Sequence, residues 1–164
     1  MTPIIRPIEE QDNAAIAKLI RDVLTEFKAN KPGTVFTDPT TDNLYGLFAE
    51  PKAHYFIAEI DGEIAGGCGI YPTAGLPDGC TELVKLYLSA KARGKGLGKQ
   101  LMEISCEAAK HEGYAEVYLE TLPELHIAVG LYERIGFHYL DAPYGNSGHF
   151  ACDLWMAKGI EIGQ

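Results

Sequence analysis

The chain has no apolar run near the roughly 18 residues that a membrane-crossing helix needs, and its opening, Met1 to Pro7, contains no long apolar segment. The reading is therefore of no membrane partner, no secretory leader and a cytoplasmic location. Cys68, Cys80, Cys106 and Cys152 show no C-x-x-C spacing. Neither a metal site nor a redox pair is expected, and the thiols read as reduced structural residues, with Cys68 and Cys80 near one another in a hairpin. Basic residues are scarce, 14 Lys and Arg against 23 Asp and Glu for a net charge of −9. With no basic stripe outside one short loop, no nucleic acid partner is expected, whereas a small cationic amine is compatible. Repeats, low-complexity tracts and linkers are also missing. A length of 164 residues with 46% hydrophobic and 23% charged composition predicts one domain, 1–164, with a core of its own.

The densest information lies between Glu82 and Met102. Glu82 to Leu88 alternates, with Val84, Leu86 and Leu88 on one face and Leu83, Lys85 and Tyr87 on the other, the period of a central strand. Arg93-Gly94-Lys95-Gly96-Leu97-Gly98-Lys99 follows, and then Leu101, Ile104, Ser105, Ala108 and Ala109 at helical spacing until Gly113. A glycine loop opening a helix exposes successive N–H groups and adds the positive end of the helix dipole, the combination that binds anions and above all phosphate. Lys91, Arg93, Lys95 and Lys99 put four of the 14 basic residues into nine positions without an acid. An island of positive charge in an acidic chain suggests a bound polyanion; an exposed lysine–glycine turn is the plainer alternative.

Spacing separates the phosphate motifs. A dinucleotide fingerprint G-x-G-x-x-G requires glycine at 99 or 101, where Lys99 and Leu101 stand, and a nucleotide P-loop requires glycine at 93 and a hydroxyl at 100, where Arg93 and Gln100 stand. What fits is [QR]-x-x-G-x-[GA], met by Arg93, Gly96 and Gly98. A second stretch, Leu131-Tyr132-Glu133-Arg134-Ile135-Gly136-Phe137, matches L-Y-E-[KR]-x-G-F. With these two motifs in order, the chain resembles the GNAT superfamily of acyl-CoA-dependent N-acyltransferases.

That resemblance implies an α/β (α+β) fold with a central mixed, mostly antiparallel sheet of about seven strands, splayed between strands 4 and 5 and flanked by about four helices. Ile4 to Pro7 reads as the first strand, and acids at Glu9 to Asp12 open a helix whose stripe is Ile16, Leu19, Ile20, Val23, Leu24 and Phe27. A loop from Lys28 to Thr41 precedes a short helix near Asp42 to Phe48. His54 to Ile60 and Glu63 to Tyr71 pair through Asp61-Gly62, and the glycines 66, 67 and 69 imply a bulge or a close approach. Ala115 to Thr121 is a strand parallel to the one before the loop. A helix over Glu124 to Ile135 and a final pair, Phe137 to Leu140 and Phe150 to Ala157, bracket the Asp141 to His149 loop beside the acceptor pocket.

By the same resemblance the co-substrate is acetyl-CoA, its pyrophosphate cradled by Arg93, Gly94, Lys95, Gly96, Leu97, Gly98 and Lys99. Its pantetheine arm lies along the main chain of Leu86, Tyr87 and Leu88. Tyr132 is the expected partner of the leaving thiolate, with an aromatic packed on a helix as the alternative. Glu82, eleven residues before Arg93, stands where the histone-acetylating branch keeps its general base, the alternative being a solvent-facing strand-end carboxylate. Glu120, His126 and His149 are rival bases. Asp38 and Asp42 are candidates to meet an ammonium group, or are turn and cap residues. Many members keep an asparagine seven residues before the tyrosine, where this chain has Leu125. The expected activity is acetyl transfer to a primary amine of a small molecule or amino acid, with a non-catalytic acyl-CoA sensor as the alternative; a homodimer is compatible with either.

Overall fold

The computed structural model describes residues 2–160. In chain order these form β1 (Ile4–Pro7), α1 (Asn13–Glu26), α2 (Leu44–Leu47), β2 (His54–Ile60), β3 (Glu63–Tyr71), β4 (Cys80–Leu88), α3 (Leu97–His111), β5 (Glu116–Thr121), α4 (His126–Ile135), β6 (His138–Leu140) and β7 (Leu154–Gly159). The strands make one seven-stranded sheet in the order β1-β2-β3-β4-β5-β7-β6. Every neighbouring pair is antiparallel except β4 and β5, which a crossover through α3 makes parallel. The expected mixed sheet and four flanking helices are present.

Each face of the sheet buries its own apolar cluster. On one side Leu97, Leu101, Met102 and Ala109 of α3 pack on Ile70, Leu83, Val117 and Met156; on the other Ile16, Ile20 and Leu24 of α1 pack on Tyr55, Ile57 and Tyr87. Spacings of four and seven put these residues on one stripe of each helix, which faces the sheet. β1 is tied to the start of α1 by Asp12, which accepts from Arg6 Nη1 (2.7 Å) and Nη2 (2.9 Å) and from the Glu9 N–H (2.7 Å).

Three local expectations are corrected. The alternation along β4 breaks at Lys85. Gly67 stands opposite Tyr87 but Gly69 opposite Val84, so β4 carries one extra residue there, and Lys85 adopts φ +55°. As a result Val84 and Tyr87 share the α1 face while Leu83, Leu86 and Leu88 face α3. The last strand begins at Leu154 rather than Phe150, because Phe150 belongs to the loop, 82% exposed. Cys68 lies opposite the bulge, whereas Cys80 begins β4, roughly 15 Å further along the strand, and both are free thiols. The Asp61-Gly62 turn is as expected, both residues at positive φ.

Candidate active site

The glycine loop meets α3 with Gly94 and Gly96 at φ +76° and +79°, a region that side chains disfavour, and nothing lies within 4 Å of the position a Cβ would take at either. The first bond of the helix runs from the Gln100 N–H to the Gly96 carbonyl (3.1 Å), so the N–H groups ahead of it point out of the helix end. Gly98 serves a different purpose. A Cβ there would come within 2.9 Å of Leu131, so glycine lets α3 and α4 approach. Lys95 and Lys91 are exposed, and Lys99 stands 3.8 Å from Glu103. Arg93 turns away from the loop mouth. It donates to Glu26 through Nη1 (2.5 Å) and Nη2 (2.7 Å), donates to the Leu88 carbonyl (3.1 Å), and covers the Phe27 ring at 4.8 Å. Its side chain fastens the loop to α1.

Beyond the loop the sheet opens. β4 and β5 pair only from Cys80 to Glu82 against Glu116 to Tyr118, after which the strands diverge. Leu86, Tyr87 and Leu88 form one wall of the gap, facing Leu125, Ala128 and Leu131 of the α4 region, with Phe27 and Arg93 at its outer end. The gap leads inward to a chamber bounded by Glu82, Lys85, Glu120, Tyr132, His149 and Cys152. Glu82, Lys85 and His149 also border a second cavity, with Asp38, Tyr71 and Thr73. The three cavities thus adjoin in series, the first two sharing Leu86, Tyr87 and Leu125 and the last two sharing Glu82, Val84, Lys85 and His149.

Glu82 lines both the chamber and the outer cavity. It is 4% exposed, which removes the solvent-facing alternative, and its one side-chain hydrogen-bond partner among the described residues is Thr73, whose Oγ1 donates to it at 2.5 Å. Burial, with help from the Glu120 charge, pushes its carboxyl up to about 7, while the Thr73 bond and Lys85 oppose the rise. Asp38 behaves oppositely. Burial would raise it, but bonds from His149 Nε2 (2.8 Å) and Thr40, and the charge of Lys85, hold it at about 2. Two carboxylates of one pocket are thereby driven apart in acidity.

The other expected residues divide. Tyr132, 7% exposed, lines the inner chamber and packs edge-on against Phe137, with ring centroids 5.9 Å apart. Burial raises its phenol well above the ordinary value, so it stays protonated. Glu120 lines the chamber too, but accepts from Tyr118 Oη at 2.7 Å and from Ser147 Oγ. His126 lies outside, edge-on to Phe27 at 5.5 Å. Asp42 is bound by Arg21 (2.6 Å). Leu125 gives the gap an apolar wall. Sequence reasoning had not singled out Lys85, Thr73 or the pairing of His149 with Asp38. Positions 38 and 149 are 111 residues apart, and no local pattern connects them.

Comparisons with known proteins agree with this architecture. Residues 18–137 match the Acetyltransferase (GNAT) family. The uncharacterised N-acetyltransferase YjgM of Escherichia coli (strain K12) is 40% identical over 161 residues, 97% of this chain and 96% of the relative. Among solved structures, a GNAT-family acetyltransferase of Staphylococcus aureus Mu50 superposes with a TM-score of 0.86 at 16% identity, covering 98% of this chain and 100% of that one. The PaiA N-acetyltransferase of Thermoplasma acidophilum, solved in complex with coenzyme A, superposes with a TM-score of 0.76 at 17% identity over 98% and 100% of the two chains.

Proposed function

The chain belongs to the GNAT acetyltransferase family, and from that premise we propose that it moves an acetyl group from acetyl-CoA to a primary amine of a small molecule or amino acid. The observation that carries this reading is the series of adjoining cavities, with the free N–H groups of a helix end at one mouth, a buried carboxyl of pKa about 7 shared by the inner two and a pocket of charged and apolar side chains beyond. The residues at the first mouth suit coenzyme A. Open space above Gly94 and Gly96 admits a pyrophosphate onto the free N–H groups, and Lys91 and Lys95 are exposed beside it. Leu86 to Leu88 offer main chain to the pantetheine arm.

In this reading Glu82 accepts a proton from the incoming ammonium group, since an amine must be neutral to attack a thioester carbonyl. At neutral pH a carboxyl near 7 is partly ionised and basic enough for the task. Tyr132 donates a hydrogen bond toward the departing sulfur from inside the chamber. The apolar wall made by Leu125, Ala128 and Leu131 keeps water from the thioester.

The test is turnover of acetyl-CoA with a panel of primary amines, read as free thiol released and acetylated product by mass spectrometry. Amine-dependent thiol release is expected. A protein that is stabilised by acetyl-CoA yet acetylates nothing across the panel would instead support the acyl-CoA sensor.

A further inference from the structure

The pocket beyond Glu82 contains a feature that amine acylation does not require. Lys85 sits at the β4 bulge in a left-handed conformation, φ +55°, which is uncommon for a side-chain-bearing residue and places it on the wall of both the chamber and the outer pocket. The bulge is held from behind by Tyr55, whose hydroxyl donates to the Lys85 carbonyl at 2.8 Å. Among the described residues the Lys85 ammonium has no ion pair within 4.0 Å, although two carboxylates are near enough to act on it. Both are already engaged: Asp38 with His149 and Thr40, Glu82 with Thr73. Burial works against the lysine's charge, and an anion placed against Nζ would relieve that cost.

Resting on the acetyltransferase reading, we propose that the acceptor is an amine that also carries a carboxylate, a small amino acid, with Lys85 binding the carboxylate while Glu82 faces the amine. The pocket presents charges of both signs, those of Lys85, Glu82 and Asp38, on a lining that also offers Tyr71, Thr73 and Asn146. A simple cationic amine would be opposed by Lys85, and a simple anion by Asp38. A zwitterion satisfies both.

The experiment compares kcat/KM for amino acids and for the corresponding amino acid amides, in the wild type and in Lys85→Met and Lys85→Arg. Methionine keeps an unbranched side chain one atom shorter and meets the same backbone strain as lysine, and a coenzyme A titration verifies each variant's fold. In the wild type the best amino acid should exceed its amide by about 10- to 100-fold, the worth of a hydrogen bond to a charged group. In Lys85→Met the ratio should fall toward one, mainly through KM for the acid, and Lys85→Arg should retain part of it. Removing the lysine also affects Glu82, but both substrates share that change and the ratio cancels it. A wild type that prefers amides, or a Lys85→Met ratio equal to that of the wild type, overturns the proposal. If the wild type acetylates no amine, the acetyltransferase reading has failed, and calorimetric titration of amino acids against amides into coenzyme A-saturated protein decides the recognition by itself. Carboxylate-dependent binding lost in Lys85→Met upholds it, and no binding overturns it.

Discussion

Replacing Glu82 by glutamine should impair the enzyme and stabilise the protein, and the two effects have a common origin. The substitution is isosteric and keeps an oxygen for the Thr73 hydroxyl, which donates to Glu82 at 2.5 Å. It removes only the capacity to ionise. Burial raises the carboxyl from 4.5 to about 7, a difference equivalent to roughly 3 kcal/mol between the two protonation states. Between those two pH values the folded protein holds a proton that the unfolded chain has released, so the stability contributed by this group falls as pH rises through the window and is fully lost above 7. Glu82→Gln should therefore melt several degrees above the wild type at pH 8 and close to it at pH 4.5. If Glu82 is the base, kcat at pH 8 should drop by about 10²- to 10⁴-fold, and the wild-type kcat/KM should rise with pH through an inflection near 7. Thermal melts at the two pH values, with steady-state thiol release, read both effects. A variant within about threefold of wild-type kcat refutes the base assignment, and one destabilised at pH 8 refutes the burial argument itself.

Gly96→Asp should fold with a loss of about 1–2 kcal/mol from its left-handed backbone but lose most affinity for coenzyme A, because a carboxylate would stand where free N–H groups await an anion. Isothermal titration checks it, and unchanged affinity would move the phosphate site elsewhere. Tyr132→Phe keeps the packing on Phe137 and removes the hydroxyl, so coenzyme A affinity should hold while kcat falls about 10²- to 10⁴-fold. A change within twofold, with chemistry rate-limiting, would leave the ring as packing alone. Arg93→Ala removes the tie to Glu26 and should loosen the loop, raising KM for acetyl-CoA more than it lowers kcat; equal losses in both would contradict that role.

The strands, helices and glycine loop were legible because each rests on local signals: alternation, three-and-four spacing and turn residues. The Asp61-Gly62 hairpin and the stripe from Ile16 to Leu24 are examples. That the sheet is irregular at Gly66 to Gly69 was legible, but that the extra residue falls on the partner strand, at Lys85, was not. It occurs at a lysine, which gives no glycine-like sign of a positive φ, and its cause lies across the sheet in the register with Gly67 and Gly69. A perfect alternation in sequence therefore gave the wrong partition of faces beyond Val84. Glu82 was singled out by the family resemblance, eleven residues before Arg93, yet its acidity depends on burial in the folded protein. The same applies to Asp38, where the sequence suggested a turn carboxylate and the fold supplies His149. Phe150 has the apolar character of a strand residue but lies in the loop, where its ring covers Gly33.

The narrow junction between β4 and β5 also bears on how the molecule comes apart. Only three residue pairs, Cys80 to Glu82 with Glu116 to Tyr118, connect the β1–β4 block of the ladder to the β5–β7 block. It is as short as the outermost β6–β7 ladder but lies inside the sheet, so amides flanking it should exchange with solvent through partial opening before the interior of β2 and β3 does. Anything that lies in the gap and bonds to the free edge of β4 would lengthen the seam and join two folding units into one. Hydrogen exchange would then register a ligand far from its contacts, as slower opening of a whole block of the protein.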